Sequence, residues 1–317
     1  MPTPVAVIIN PISGAGGRVE VARARAEQAA ALIAARGLDA QVFLTERIGH
    51  ARELTVAALT RGVTSVFAWG GDGTVNEVAS ALAFREATLG IIPSGSGNGL
   101  ARELRIPLDP ARAFAAALGG RECRIDAGEL DLRLFFNVAG IGLDARVAHC
   151  FAAEGLARRG LLRYLEIATR ELFTFKSTSY TITTDGVAVR ADALLIALAN
   201  SRQYGNGALI APAAALDDGR LDVVVVAGRS PLGIILQAPR LFTGQIERAP
   251  GVTTVKGIEI EVTSEQPVPY HVDGEPFLGA ASIRARARPG ALRVVVPSDA
   301  PADLLGSRAR VTGNRAT

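Results

Sequence analysis

Phe67-Ala-Trp-Gly-Gly-Asp-Gly-Thr-Val-Asn-Glu77 is the stretch on which the fold turns: a short apolar run stops at three glycines set around one carboxylate. It reads as a strand, a tight loop and the first turn of a helix. Gly70, Gly71 and Gly73 allow positive φ and let a bulky ligand approach the main chain, which larger side chains would block. Val75 to Ala83 carries apolar residues at helical spacing, so loop amides and a helix N-terminus aim at one spot. Such a spot favours an anion, most simply a phosphate. Asp72 should repel that anion; a magnesium ion, or a hydrogen bond to a ribose or substrate hydroxyl, would account for it. The competing reading makes Asp72-Gly73 an ordinary turn dipeptide.

Two more turns of the same kind weigh against the ordinary turn. Val5 to Ile9 reads as a first strand, followed by Asn10-Pro-Ile-Ser-Gly-Ala-Gly-Gly17 and a long Ala/Arg/Glu helix ending near Gly37. Ala40 to Leu44 is a second strand, Gly49-His-Ala-Arg-Glu opens a second helix, and Ser65 to Trp69 is the third strand. Thr88 to Ile92 is the fourth, leading into Pro93-Ser-Gly-Ser-Gly-Asn-Gly-Leu-Ala-Arg102. Strand and helix in alternation imply a parallel, doubly wound sheet, in which ligands bind beyond the C-terminal strand ends. Three glycine-rich turns at three such ends therefore converge on one phosphate crevice. None of them is a GxxxxGK[ST] loop. Gly95 to Gly99 only echoes a dinucleotide fingerprint and follows the fourth strand, which argues against a nicotinamide oxidoreductase.

Asp109 to Leu118 is a helix stopped by Gly119-Gly120, and from there the pattern changes. Arg121 to Ile141 reads as two alternating strands, Thr178 to Val189 as a hairpin around Asp185-Gly186, and Leu194 to Ala199 and Leu221 to Val226 as buried strands. Further strands are predicted at Val255 to Thr263, Pro269 to Val272, Ala281 to Ala287 and Ala291 to Val296, with helices around 156–173 and 230–243. The predicted fold class is α/β: an N-terminal doubly wound parallel-sheet nucleotide-binding domain over 1–126, then a C-terminal β-sandwich domain over 127–296 that takes the substrate. A tail over 297–317 is expected to return to the first domain and to end in disorder.

A length of 317 residues suits two domains, and 49% apolar content with a mean hydropathy of +0.26 suits globular packing. The formal charge of +3 and a pI near 9.2 are mildly basic, but arginines and carboxylates are interspersed and lysine occurs only at 176 and 256. No aromatic-interleaved basic face accompanies them, so no nucleic-acid partner is expected. Mild basicity would assist visits to an anionic membrane surface. Cys123 and Cys150 lack a CxxC spacing and read as reduced thiols of a cytoplasmic protein. Met1-Pro-Thr-Pro runs into a strand with no leader pattern, and no apolar run approaches the roughly 18 residues that span a bilayer.

Five signatures occur in one order along nearly the whole chain: Asn10-Pro-Ile-Ser-Gly14, Gly70-Gly-Asp-Gly-Thr-Val-Asn-Glu77, Pro93-Ser-Gly-Ser-Gly-Asn-Gly99, Asn137-Val-Ala-Gly-Ile-Gly-Leu-Asp144 and Asp273-Gly-Glu275. In them the chain resembles the diacylglycerol kinase catalytic family, which includes sphingosine and ceramide kinases and bacterial lipid kinases. The resemblance implies ATP- and Mg2+-dependent phosphorylation of a lipid hydroxyl, diacylglycerol to phosphatidic acid first of all, by a protein that meets its lipid peripherally at the membrane. It implies nucleotide contacts at Asn10, Pro11, Ile12, Ser13, Gly14, Thr45, Gly71, Asp72, Gly73, Thr74, Val75, Asn76, Glu77 and Ser96. Glu275 matches the general base, with Asp72 organising magnesium and nucleotide. A structural magnesium site matches Asp218, with the backbone carbonyls of Ala215 and Arg220 beside it. Many relatives carry Gly-Thr-x-Asn-Asp where this chain has Gly95-Ser-Gly-Asn-Gly, which keeps a hydroxyl at Ser96 and leaves a sphingoid or other lipid alcohol open as the acceptor.

Plainer readings stand beside these. Asp273-Gly274-Glu275-Pro276 is also an ordinary hairpin tip, and Asp217-Asp218-Gly219 a solvated turn. His271 stands four residues before Glu275, but a turn intervenes, so it reads as structural, as do His50 and His149. Asp144 is either a substrate contact or a helix N-cap. Leu156 to Phe173 mixes apolar residues with arginines and reads as a core-packed helix in preference to a lipid-docking one. The rival functions are a kinase of NAD or a soluble metabolite, and a lipid- or nucleotide-binding regulator without turnover; homodimerisation is left open.

Overall fold

The computed structural model describes residues 5–13, 19–153, 161–228, 230–301 and 305. The chain divides into two compact units, one of Met1–Ile125 with Gly290–Leu304, the other chiefly of Asp126–Gly155 and Gly160–Pro289.

The first unit alternates β1 (Val5–Ile9), α1 (Val19–Ala34), β2 (Ala40–Leu44), α2 (His50–Thr60), β3 (Ser65–Gly70), α3 (Asp72–Leu82), β4 (Thr88–Pro93), α4 (Gly99–Glu103) and α5 (Pro110–Gly119). Its strands lie in the order β2-β1-β3-β4, every pairing parallel. β1 and β4 are buried along their whole length, as continuous apolar runs in a sheet covered on both faces should be. The side chain of Asp109 accepts from the Arg112 amide and Pro110 fixes the first turn, so α5 starts where the sequence says it should. α5 lays Phe114 edge-on against Phe67 of β3, ring centres 5.4 Å apart. α3 begins at Asp72, directly after extended Gly71 and ahead of the apolar spacing that predicts it.

The second unit holds the rest of β5 (Arg121–Leu130), which starts in the first, then β6 (Arg133–Phe135), β7 (Val138–Gly142), α6 (Leu143–Ala153), α7 (Leu161–Thr174), β8 (Thr178–Thr184), β9 (Val187–Ala199), β10 (Gln203–Gly205), β11 (Ala208–Leu209) and β12 (Leu221–Ala227). After these come α8 (Pro231–Gln237), α9 (Pro239–Thr243), a 3-10 turn at Ile246–Arg248, β13 (Val252–Gly257), β14 (Glu259–Thr263), β15 (Pro269–Val272), β16 (Glu275–Leu278) and β17 (Ser282–Val296). Pairing is antiparallel, in the order β16-β15-β7-β9-β8-β14-β17, with β12 also on β9 and β13 on β12. β9 pairs β8 with its first half and lies between β7 and β12 with its second, which folds the sheet around one apolar core containing Phe135, Ile141, Tyr180, Ile196, Leu198, Val262 and Tyr270.

Several boundaries differ from the sequence expectation. The 178–189 hairpin and the 194–199 strand share one long strand, β9. The strands expected at 281–287 and 291–296 are one element, β17, bent at Pro289-Gly290, where Gly290 has φ 60°. Its last residues pair parallel with β4, Arg293 opposite Thr88 and Val294 opposite Leu89, so the return to the first unit comes at Gly290, ahead of the expected tail. The 230–243 helix is two helices, because Pro239 cannot donate into the α8 ladder. α6 is foreshadowed only by the helix N-cap alternative for Asp144, which lies inside its first turn, α7 covers the later part of the expected 156–173 helix, and residues 154–160 and 306–317 lie outside the described residues. Among the described residues no helix is long and apolar enough to cross a membrane.

Candidate functional site

In the first unit the loops after β1, β3 and β4 touch one another. The Asn10 side-chain amide donates to Thr74 Oγ1 at 2.9 Å, and the Ser13 and Ser94 hydroxyls share a 2.6 Å hydrogen bond. The second and third loops press backbone on backbone: a Cβ on Gly95 would stand 2.6 Å from the Gly71 Cα, so neither position admits a side chain without displacing the other loop. Arg25 of α1, which sequence reasoning missed, donates to the carbonyls of Asn10 (2.9 Å) and Ser13 (2.7 Å) and to the Ser13 hydroxyl (2.9 Å), and burial lowers its pKa. Nothing in the spacing of α1 singles it out from the neighbouring arginines.

The two carboxylates of α3 act on neighbouring helices. Asp72 accepts the Asn98 amide at 2.9 Å and the Gly99 amide at 2.7 Å, which caps α4 and fixes the third loop. Glu77 accepts the Gly49 amide at 2.8 Å and the Ala51 amide at 3.0 Å, which caps α2. Asn98 closes the third loop on itself through the Gly95 amide (2.9 Å) and carbonyl (2.8 Å). The N-terminus of α3, by contrast, has no side-chain cap. The positive end of the helix dipole, at an N-cap glycine with no side chain of its own, therefore faces the convergence point, the chemistry an anion requires. The presence of Asp72 beside that point thus has a structural cause that the sequence reading did not weigh.

Of the other expected nucleotide contacts, Pro11 and Ile12 belong to the first loop, Gly73, Val75 and Asn76 to the start of α3, and Thr45 is buried with its amide on the Ile9 carbonyl at 2.9 Å. Ser96 is exposed at the tip of the third loop, and Gly14 lies outside the described residues.

In the second unit Glu275 is exposed at the start of β16, across a two-residue turn from Val272. Asp273 (φ 46°) and Gly274 (φ 87°) form that turn in the left-handed conformation that suits tight hairpins. The Asp273 carboxylate accepts the amides of Phe136 (3.0 Å), Asn137 (3.0 Å) and Val138 (3.1 Å), so the hairpin tip is bolted to the segment before β7. Behind it His271 Nδ1 accepts the Gly274 amide at 3.2 Å, and Nε2 meets Asp144 Oδ2 at 2.6 Å. Tyr204 and Tyr164 donate to the same carboxylate at 2.5 and 3.4 Å. Asp144 lies in the first turn of α6, buried by side chains from three distant segments, an arrangement no local motif reveals. Burial is the largest single influence and opposes charge on this pair, but charge and hydrogen bonding together outweigh it: Asp144, with Asp273, holds the His271 pKa above its ordinary value, and His271 with the two tyrosines holds Asp144 below its own.

The expected structural magnesium set fits poorly. Asp218 supplies the set's single side chain; its Oδ1 accepts the Arg220 amide at 3.0 Å and its Oδ2 holds the Lys256 ammonium at 2.9 Å. Among the described residues no group of three or more His, Cys, Asp or Glu side chains is placed to hold a metal ion. Of the expected magnesium ligands Ala215, Asp218 and Arg220, the one side chain, Asp218, is thus already paired with a cation of the protein's own.

Comparison with known proteins decides the family. Residues 4–130 match the diacylglycerol kinase catalytic domain and residues 137–296 the YegS C-terminal NAD kinase beta sandwich-like domain. A probable lipid kinase YegS-like protein of Klebsiella pneumoniae is 32% identical over 86% of this chain and 92% of its own length. The chain belongs to the YegS-like lipid kinases. A Pseudomonas putida member is 32% identical over 82% of the chain and 86% of its own length. A diacylglycerol kinase structure from Bacillus anthracis superposes with a TM-score of 0.69 at 21% identity, covering 93% of this chain and 97% of its own, and a second from that organism reaches 0.75 at 24% over 93% and 95%. The α/β catalytic domain and sandwich-like domain of this lipid kinase are thus those the sequence predicts.

Two predictions test the geometry of this kinase. Asp72→Ala leaves two amides of the third loop without an acceptor and is expected to cost about 1–3 kcal/mol, read by urea unfolding through Trp69, the chain's single, buried tryptophan; wild-type stability in Asp72→Ala would contradict the capping role. For the buried pair, the raised His271 pKa means a contribution fully present below the unfolded value of about 6.5 and lost as pH rises through the folded one. The lowered Asp144 pKa means a contribution present above about 3.9 and lost as pH falls through its folded value. The melting temperatures of wild type and Asp144→Asn are accordingly expected to differ most between about pH 4 and 6.5, with the gap narrowing as pH rises through the raised His271 value; a gap independent of pH would contradict the pairing.

Proposed function

We propose that this lipid kinase transfers the γ-phosphate of ATP to the free hydroxyl of diacylglycerol, yielding phosphatidic acid and ADP. The observation that carries the reading is the convergence of three loops on the uncapped N-terminus of α3, with Gly71 and Gly95 back to back and Asn10 tied to Thr74. ATP enters as its magnesium complex, and the loop amides take phosphate oxygens whose charge is spread further in the transition state. The hydroxyl oxygen bonds to the γ-phosphorus, the bond from that phosphorus to the ADP oxygen breaks, and the hydroxyl proton passes to Glu275. Support for Glu275 as the base comes from its exposure on a hairpin tip that Asp273 holds by three amides, since a base must be both reachable and fixed. Asp72 acts by holding the third loop in shape. The acceptor is collected by peripheral contact with the membrane.

The test is transfer of labelled γ-phosphate from magnesium ATP to a panel of dispersed diacylglycerol, sphingosine, other lipid alcohols and NAD. Diacylglycerol is expected to be labelled first, and Glu275→Gln to lower kcat by about 10²–10⁴-fold with the KM for ATP little changed. A fully active Glu275→Gln enzyme removes Glu275 from the mechanism. Preferential labelling of sphingosine or NAD replaces the acceptor, and ATP binding with no labelled product from any acceptor makes the chain a binding protein.

A further inference from the structure

Register and turn geometry deliver three oxygens to one lysine. β12 and β13 pair antiparallel with Asp222 directly opposite Lys256, so the two side chains stand on the same face. One turn upstream, Gly219 at φ 75° swings Asp217-Asp218 back over the start of β12. The Lys256 ammonium then lies 2.9 Å from Asp218 Oδ2, 3.1 Å from Asp222 Oδ2 and 3.0 Å from the Ala213 carbonyl. An ammonium has three N–H donors, and all three have an acceptor at hydrogen-bond distance. Asp222 is almost entirely buried, and burial raises its pKa against the pull of Lys256, so its ionised form depends on that cation.

We infer that Lys256 is a built-in counter-ion that stands where relatives of this fold are expected to hold a structural magnesium ion, and that it frees the second unit from any divalent metal. Composition agrees with this. Of the 34 lysines and arginines only two are lysines, so a cation in this chain is an arginine by default. Arginine's planar fork cannot reproduce the compact point charge of a metal ion, whereas an ammonium on a flexible stem can. Ion and lysine would also exclude each other: Asp218 Oδ2 is taken by Lys256 and Oδ1 by the Arg220 amide, which leaves an entering cation a carboxylate already neutralised.

The test is thermal unfolding of the full chain without nucleotide, in magnesium and in EDTA. Wild type is expected to melt at the same temperature in both. Lys256→Met, which keeps the stem and removes the charge, is expected to melt roughly 4–8 °C lower in EDTA and to recover part of that loss in millimolar magnesium or calcium. If Lys256→Met does not fold in EDTA, folding restored by magnesium counts as the same result. A Lys256→Met protein as stable as wild type and indifferent to divalent ions would overturn the inference. So would stoichiometric manganese binding to the nucleotide-free wild type that Asp218→Asn abolishes, a measurement that needs no folded Lys256 variant. Neither outcome bears on the kinase reading, which is decided by phosphate transfer.

Discussion

The contact between the Gly70–Gly73 loop and the Gly95–Asn98 loop is the constraint on which the first unit depends. A side chain on Gly71 would place its Cβ 3.2 Å from the Gly95 Cα, and one on Gly97 would place its Cβ 2.8 Å from Asp72 Oδ2. Glycine here serves proximity more than torsional freedom, since neither Gly71 nor Gly95 has positive φ. Bringing two backbone loops together concentrates amide dipoles, and Asp72 holds them together by accepting two amides of the third loop. The parallel order β2-β1-β3-β4 puts the loops after β1, β3 and β4 side by side at the C-terminal edge, where α/β sheets take their ligands.

Charge is arranged accordingly. A carboxylate in the first turn of a helix ordinarily stabilises that helix by complementing its own dipole. Asp72, in that position, instead reaches across to α4, and Glu77, one turn further on, to α2, so both negative charges cap other helices while α3 is left without a side-chain cap. The same device recurs in the second unit, where the Asp273 carboxylate gathers three amides and Asp185 gathers those of Ile258 and Glu259 beside the β8–β9 hairpin, which lowers its pKa. Carboxylates bonded to main-chain amides are what hold the loops of this kinase in shape.

What the sequence disclosed follows from the range of the interactions. Strand-turn-helix units, glycine loops and the Asp273-Gly274 turn are local, written within a few residues, and the expected places for them hold. The caps made by Asp72 and Glu77, the Asp144–His271 pair and the Lys256 tripod join residues dozens of positions apart, and no spacing rule reaches that far. His271 illustrates the difference: the sequence shows that a turn separates it from Glu275, but not that its ring accepts an amide from that very turn. β17 escaped for another reason. Pro289-Gly290 is a stop signal in a local reading, yet pairing with β14 on one side of it and β4 on the other carries the strand through.

Where ATP binds is measured by amide hydrogen exchange of the full chain with and without a non-hydrolysable ATP analogue and magnesium. Slowed exchange is expected in the segments around Asn10–Ser13, Gly71–Val75 and Ser94–Gly99. Saturating analogue that leaves all three segments unchanged, or that slows only strands of the second unit, would contradict this placement of ATP.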